Sequence, residues 1–77
     1  MVTTTLDDLR EGQRGRVVEI QGSDSLSARL MEMGLIPGEV VEMLGQAPMG
    51  DPVEYLVVGY RLSLRRAEAR RVWIERA

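Results

Sequence analysis

The reactive side chains of this sequence are few, and their types restrict the chemistry that is available. The 77 residues contain no histidine, cysteine or lysine, and all ten basic residues are arginine. A general base near neutral pH, a thiolate nucleophile and a Schiff-base amine are therefore absent. Asp7 and Asp8 form the one adjacent carboxylate pair, and their place in a short N-terminal turn favours solvated surface over acid–base catalysis. We therefore expect a protein that is not an enzyme.

Metal ligands are limited in the same way. Transition metals prefer imidazole or thiolate ligands, so only carboxylates and the thioethers of five methionines remain. Met31, Met33 and Met43 lie in or beside apolar patterns, where methionine usually fills core space. No glycine pattern matches a phosphate-binding loop. These residues predict no cofactor, and they assign no metal ligand, although a weak carboxylate-held metal site stays open.

Residues 65–71 contain four arginines and form the most basic stretch of the chain. The plainer interpretation is a solvated helical turn. The alternative is a basic patch that docks on an acidic partner or an anionic membrane surface. The net charge of −2 and the lack of aromatic residues among these arginines argue against nucleic acid as a partner.

Aromatic residues are too few to line a groove that binds proline-rich peptides. A groove for proline-rich peptides needs several aromatic walls, and this chain offers only Tyr55, Tyr60 and Trp73. Trp73 stands between Val72 and Ile74, which predicts a place in the core.

The length and composition indicate a single domain over residues 1–77. A chain of this size hides only about 60% of its unfolded surface. No apolar run approaches the ~20 residues of a membrane span. The first ten residues lack the basic start and apolar stretch of a secretory signal, and no cysteine is present to form a disulfide. We expect the cytoplasm as the location.

Short strands dominate the predicted secondary structure. Apolar and alternating patterns predict five of them, at residues 14–20, 40–44, 53–58, 60–64 and 72–74. Gly59-Tyr60 is predicted as a two-residue hairpin turn with glycine in its first central position, and residues 65–70 as a single helical turn. Five strands with one inserted helix predict a mainly β fold, a small, strongly bent barrel.

From residue 25 the periodicity becomes that of a helix, with apolar residues at i, i+4 and i+7: Leu26, Leu30 and Met33. Asp24 or Ser25 can cap its start by accepting a hydrogen bond from a free backbone N–H. Gly34 follows the last periodic residue, where a left-handed residue commonly ends a helix. Pro37-Gly38 then predicts a turn.

This helix carries more apolar residues than one buried stripe requires. Met31 lies about 100° around the helix from Leu30, and Leu35 and Ile36 follow at the helix exit. The surplus predicts an exposed apolar patch beside Arg29, which would mark a protein-binding site. The alternative is that the end of the barrel covers all of these side chains, and the sequence leaves both open.

Two segments resemble the hallmarks of a known family. Residues 29–41, RLMEMGLIPGEVV, resemble the first hallmark of the ferrous-iron transport protein A family (FeoA), and residues 59–69, GYRLSLRRAEA, resemble the second. Residues 6–18 and 52–55 are similar to the opening and the middle of the family pattern. The resemblance covers essentially the whole chain in the right order.

The resemblance implies an SH3-like β-barrel with a helical insertion. It also implies a stand-alone, cytoplasmic bacterial accessory protein that docks on the cytoplasmic part of the GTP-driven ferrous-iron permease FeoB and modulates uptake. The same barrel forms the C-terminal domain of iron- and manganese-dependent repressors, so the alternative is a metal-sensing module that binds a transition metal.

The helix and the arginine turn together form the predicted docking surface. Its members are apolar or basic and come from these two segments: Leu26, Arg29, Leu30, Met31, Met33, Arg65, Arg66 and Arg70. A small barrel with such a surface is expected to be a monomer or a weak dimer.

Overall fold

The computed structural model describes residues 3–77, so the first two residues of the predicted domain lie outside the described part. Six strands are present: β1 (Thr3–Thr5), β2 (Arg14–Ile20), β3 (Val40–Gln46), β4 (Val53–Val57), β5 (Tyr60–Leu64) and β6 (Val72–Arg76). Two helices interrupt them, α1 (Ser25–Glu32) and α2 (Arg66–Ala69), and a 3-10 turn (Leu6–Asp8) follows β1. Within residues 3–77 no helix has the length and apolarity to span a membrane.

All six strands form one antiparallel sheet in the order β1-β6-β2-β3-β4-β5. The predicted mainly β fold is confirmed, with β1 as a sixth strand that the sequence patterns did not indicate. The register shifts between Val17 and Glu19 in β2 and between Met43 and Gly45 in β3. Such bulges bend a strand and increase its twist, which lets one sheet wrap around its own core.

The core lies on the inner face of the bent sheet. Tyr55 in β4 is fully buried. Its hydroxyl donates to the backbone oxygen of Leu6, in the 3-10 turn that follows β1, at 3.2 Å. Burial raises the pKa of Tyr55 to about 12, because an isolated phenolate has no solvation there. Trp73 is only partly buried, so its predicted core position is wrong; it faces outward between Val72 and Ile74, which both point inward.

The ends of α1 follow the local signals in the sequence. Asp24 is the N-cap and accepts a hydrogen bond from the backbone N–H of Ser27 at 3.1 Å. At the other end Gly34 adopts a φ of 104°, and Leu35 donates to the carbonyl of Leu30 at 3.2 Å. This is the Schellman arrangement, and both leucines that it brings together are fully buried.

The β4–β5 hairpin differs by one residue from the prediction. Val57 pairs with Tyr60, so the central residues are Val58 and Gly59 and not Gly59 and Tyr60. Both have positive φ, 52° and 82°, as in a type I′ turn. This conformation suits glycine, but a β-branched residue is an outlier there, and holding one costs about 1–3 kcal/mol.

Within residues 3–77 no backbone ladder joins β1 to β5, the two ends of the strand order. Side chains and helices close this seam. Asp7, which follows β1, pairs with Arg66, which follows β5, at 2.8 Å. The Arg66 guanidinium also donates to the carbonyl of Gly50 and the side chain of Gln46, both at 2.6 Å. The hydrogen bond to Asp7 raises the pKa of Arg66 further.

Candidate functional site

Adjacent residues of α1 have opposite environments. Leu30 is fully buried, whereas Met31 is 44% exposed. Leu26 and Met33 lie between these extremes and pack against the core. Leu30 therefore cannot touch a partner, and its predicted place on the docking surface is corrected. Its side chain packs in the hydrophobic core. Met31 presents the largest apolar surface on the helix.

The arginine turn is not a cluster of free cations. Arg66 and Arg70 both pair with Asp7, at 2.8 and 3.1 Å, and Arg71 pairs with Asp24 at 2.7 Å. The prediction that Asp7 is solvated is thus wrong, since its side chain is only 18% exposed.

These ion pairs give one predicted docking residue a structural role as well. Arg66 is held within the fold by Asp7 while its side chain stays 28% exposed, so its place on the docking surface stays a prediction. Arg70 remains largely exposed in spite of its pair. Arg65 is also exposed and makes no ion pair with any residue of the described part.

The fold does bring the predicted helix and the arginine turn together. Arg29 in α1 donates to Glu68 in α2 at 2.8 Å. At the far end of α1, the hydroxyl of Tyr60 donates to the backbone carbonyl of Met33. These two contacts join α1 to α2 through Arg29 and the end of α1 to β5 through Tyr60. Arg29, Met31, Arg65 and Arg70 are all exposed.

A second apolar feature lies at the end of α1, and we call it the Gly34 patch. It consists of four exposed large apolar residues, at 44, 51, 58 and 44% exposure: Met31, Ile36, Val58 and Tyr60. The backbone of Gly34 donates to the Met31 carbonyl at 3.0 Å and accepts from the Ile36 N–H at 2.9 Å.

The hairpin tip closes the Gly34 patch from the other side. A β-carbon on Gly34 would lie 3.4 Å from Val58 and 2.8 Å from the Tyr60 hydroxyl. Glycine at this position therefore allows the hairpin tip and the helix end to approach each other closely. The patch joins two stretches that are distant in sequence, namely the end of α1 with the loop after it, and the β4–β5 turn with the start of β5.

Sequence reasoning found only part of the Gly34 patch. It identified Met31 and the surplus at residues 35–36, but Leu35 is fully buried and only Ile36 is exposed. It placed Val58 inside a strand. The available signal was the X-Gly dipeptide at Val58-Gly59, which would have set the turn one residue earlier.

A polar cavity of about 480 Å³ lies between the 3-10 turn, β3 and the start of α2. Its walls mix acidic, basic and apolar side chains: Asp7, Asp8, Leu9, Arg10, Glu11, Met43, Gln46 and Arg66. The hydroxyl of Thr4 donates to Asp8 and lowers the pKa of that carboxyl, and Asp7 is held by arginines. Among residues 3–77 no three acidic side chains are placed to share one metal ion.

The capping carboxylate of α1 yields a prediction on acid stability. Its hydrogen bond from Arg71, followed by that from the Ser27 N–H, lowers the pKa of Asp24 from 3.8 to about 2. Because the folded pKa is the lower one, this stabilisation is complete above the unfolded value and is lost as pH falls through the folded one. We expect the Tm difference between the native chain and Asp24→Asn to shrink from about pH 4 to about pH 2. A constant difference across this interval, measured by circular dichroism, would contradict the prediction.

The bent sheet with its inserted helix is the SH3-like class of fold, and solved structures share it. The FeoA of Stenotrophomonas maltophilia, solved as a zinc complex and described as a prokaryotic SH3 domain protein, superposes with a TM-score of 0.84 at 33% identity, over 94% of this chain and 89% of that one. A manganese-dependent transcriptional repressor, solved with manganese, superposes with a TM-score of 0.89 over all of this chain and 38% of that one. Its 16% identity shows a shared fold alone.

The sequence comparisons identify the protein family more specifically than the fold does. The FeoA domain model matches residues 4–76, and the chain therefore belongs to the FeoA family. It is also 33% identical over 70 residues to an Fe(2+) transport protein A/Fe(2+) transporter FeoB fusion protein of Porphyromonas gingivalis. The match covers 91% of this chain but only 8% of the fusion protein's length. The predicted family and its SH3-like barrel are confirmed.

Proposed function

We propose that this chain is an accessory domain of bacterial ferrous-iron uptake that docks on the cytoplasmic part of a FeoB-type GTPase-permease and modulates it. The observation that carries this proposal is the relative in which an Fe(2+) transport protein A is joined to the transporter FeoB in one chain. Covalent linkage holds two binding modules at a high effective concentration, so such a fusion favours partners that work in contact.

The chemistry of the surface supports a binding role. The exposed side chains of α1 and the arginine turn include the apolar Met31 and the basic Arg29, Arg65 and Arg70, and the partly buried Leu26 and Met33 pack against the core. Apolar side chains with a basic rim suit an acidic, partly apolar protein surface. The chain offers no histidine, cysteine or lysine for catalysis, so the modulation acts through contact.

Docking is tested by titrating the purified chain into the cytoplasmic part of the permease from the same organism. We expect saturable binding in the micromolar range, as for a transient complex, and a changed rate of GTP hydrolysis in its presence. If calorimetry detects no binding up to about 100 μM, a level at which micromolar sites saturate, the proposal fails.

Met31→Glu is expected to weaken this binding at least about tenfold, because docking would bury a carboxylate without a partner. Met49→Glu is the matched control, since Met49 is 93% exposed in the β3–β4 loop, at the other end of the hairpin from Val58. Both variants should keep the native Tm. If Met31→Glu and Met49→Glu bind equally well, Met31 lies outside the contact.

A further inference from the structure

We propose that the Gly34 patch is the binding site for one short linear segment of the permease, and that this segment carries two or more large apolar side chains. This inference rests on the proposed function, and it adds Ile36, Val58 and Tyr60 to the contact. Four of the large apolar side chains that the described residues expose belong to the two stretches of chain that approach each other at Gly34. Because both stretches contribute exposed apolar residues, one partner segment can contact them together.

Val58 gives the independent argument for a ligand. Its φ of 52° is unfavourable for a β-branched side chain, and its 58% exposure leaves an apolar side chain in water. Valine does not favour the backbone conformation of this turn, for which asparagine is better suited. Its side chain is also not part of the buried core. Strained residues of this kind concentrate at ligand-binding sites, where a contact made only in the complex can offset the strain.

Tyr60 is suited to anchor such a segment. Its hydroxyl is fixed by the Met33 carbonyl, and the residue remains 44% exposed close to Gly34, which Val58 also approaches. A fixed aromatic ring loses little conformational freedom on binding, and tyrosine is enriched among the residues that dominate binding energy.

The size of the Gly34 patch favours a short segment over a second copy of this chain. Four large side chains about half exposed present roughly 400 Å², since each has about 200 Å² to expose. A stable protein–protein interface needs about 800 Å² from each partner. The patch supplies half of that area, which fits a linear segment held near its site by the rest of the complex.

The test uses short overlapping peptides that cover the cytoplasmic part of the permease, each titrated against the full chain by fluorescence anisotropy. We expect one peptide with two or more large apolar side chains to bind. Ile36→Glu should weaken that binding at least tenfold, and Val58→Asn should weaken it while raising the Tm. Met49→Glu and Met49→Asn are the matched controls and should bind as the native chain does.

The outcomes separate the two proposals. If the intact cytoplasmic part binds but no peptide does, or if the Ile36 and Val58 variants bind normally, this inference is wrong and docking stands. If neither the intact part nor any peptide binds, both proposals fail. If the native chain dimerises in sedimentation equilibrium and Ile36→Glu does not, the occupant is a second copy and the inference is overturned.

Discussion

Replacement of Leu30 by alanine is expected to lower the free energy of unfolding by about 3 kcal/mol, the usual cost of truncating a leucine in a close-packed core. Leu30 is fully buried in the hydrophobic core that it shares with Leu35. The Schellman motif joins the same two residues by a backbone hydrogen bond. A domain of this length has about 4–12 kcal/mol of stability in total, so the loss is a large fraction.

The measurement is thermal or urea unfolding followed by circular dichroism. At about 4–8 °C per kcal/mol for a small domain, the Tm should fall by more than about 10 °C. Met31→Ala is the matched control one residue away, and its free energy of unfolding should change by less than about 1 kcal/mol. Similar Tm values for Leu30→Ala and the native chain would show that Leu30 is not a core residue.

A Leu30 variant that fails to bind the permease would report a loosened α1 and not a lost contact. Met31 and Ile36 are the informative positions, because their exposed side chains can change without opening a cavity.

Removal of the Asp7 carboxylate has the second large expected effect. Asp7→Ala should lower the free energy of unfolding by about 2 kcal/mol, since hydrogen bonds to charged groups contribute about 1.5–3 kcal/mol. Asp7 accepts from Arg66 and Arg70 and is 18% exposed, and Arg66 in turn is 28% exposed. The loss would leave a partly buried guanidinium without its carboxylate at the seam between β1 and β5.

Double-mutant cycles can assign this effect to one of the two arginines. The coupling of Asp7 with Arg66 should exceed about 1 kcal/mol, as for residues in one shielded hydrogen-bond network. The coupling with Arg70 should stay below about 0.5 kcal/mol, because that side chain is 64% exposed. Equal couplings would mean that Arg66 does not close the seam.

Local signals were enough to predict much of the fold. Asp24 and Gly34 marked the two ends of α1, and the spacing of its apolar residues gave its inner face. The strand patterns at residues 14–20 and 60–64 were confirmed at both ends. Each of these signals acts within a few residues, through capping, backbone φ or the period of the element, so no knowledge of distant contacts was needed.

The surface could be predicted only in part. The apolar surplus at Met31 was visible, but the burial of Leu30 and Leu35 and the exposure of Ile36 depend on how α1 sits on the barrel. The turn at Val58 was misplaced because valine is a poor signal for positive φ. Two other members of the Gly34 patch, Met31 and Ile36, lie more than twenty residues before Val58, a separation that the periodicity of one element does not reach.

The sequence by itself determined the inventory and the local structure: no histidine, cysteine or lysine, a capped helix ended by Gly34, and strands of the right length for a small barrel. Only the tertiary structure decided which charges are free and which apolar residues meet. Asp7 pairs with Arg66 and Arg70 from the other end of the chain, and Asp24 pairs with Arg71, so three of the four arginines in the basic stretch take part in ion pairs. The reason is physical: exposure and ion pairing depend on long-range packing, whereas caps, turns and periods are properties of neighbouring residues.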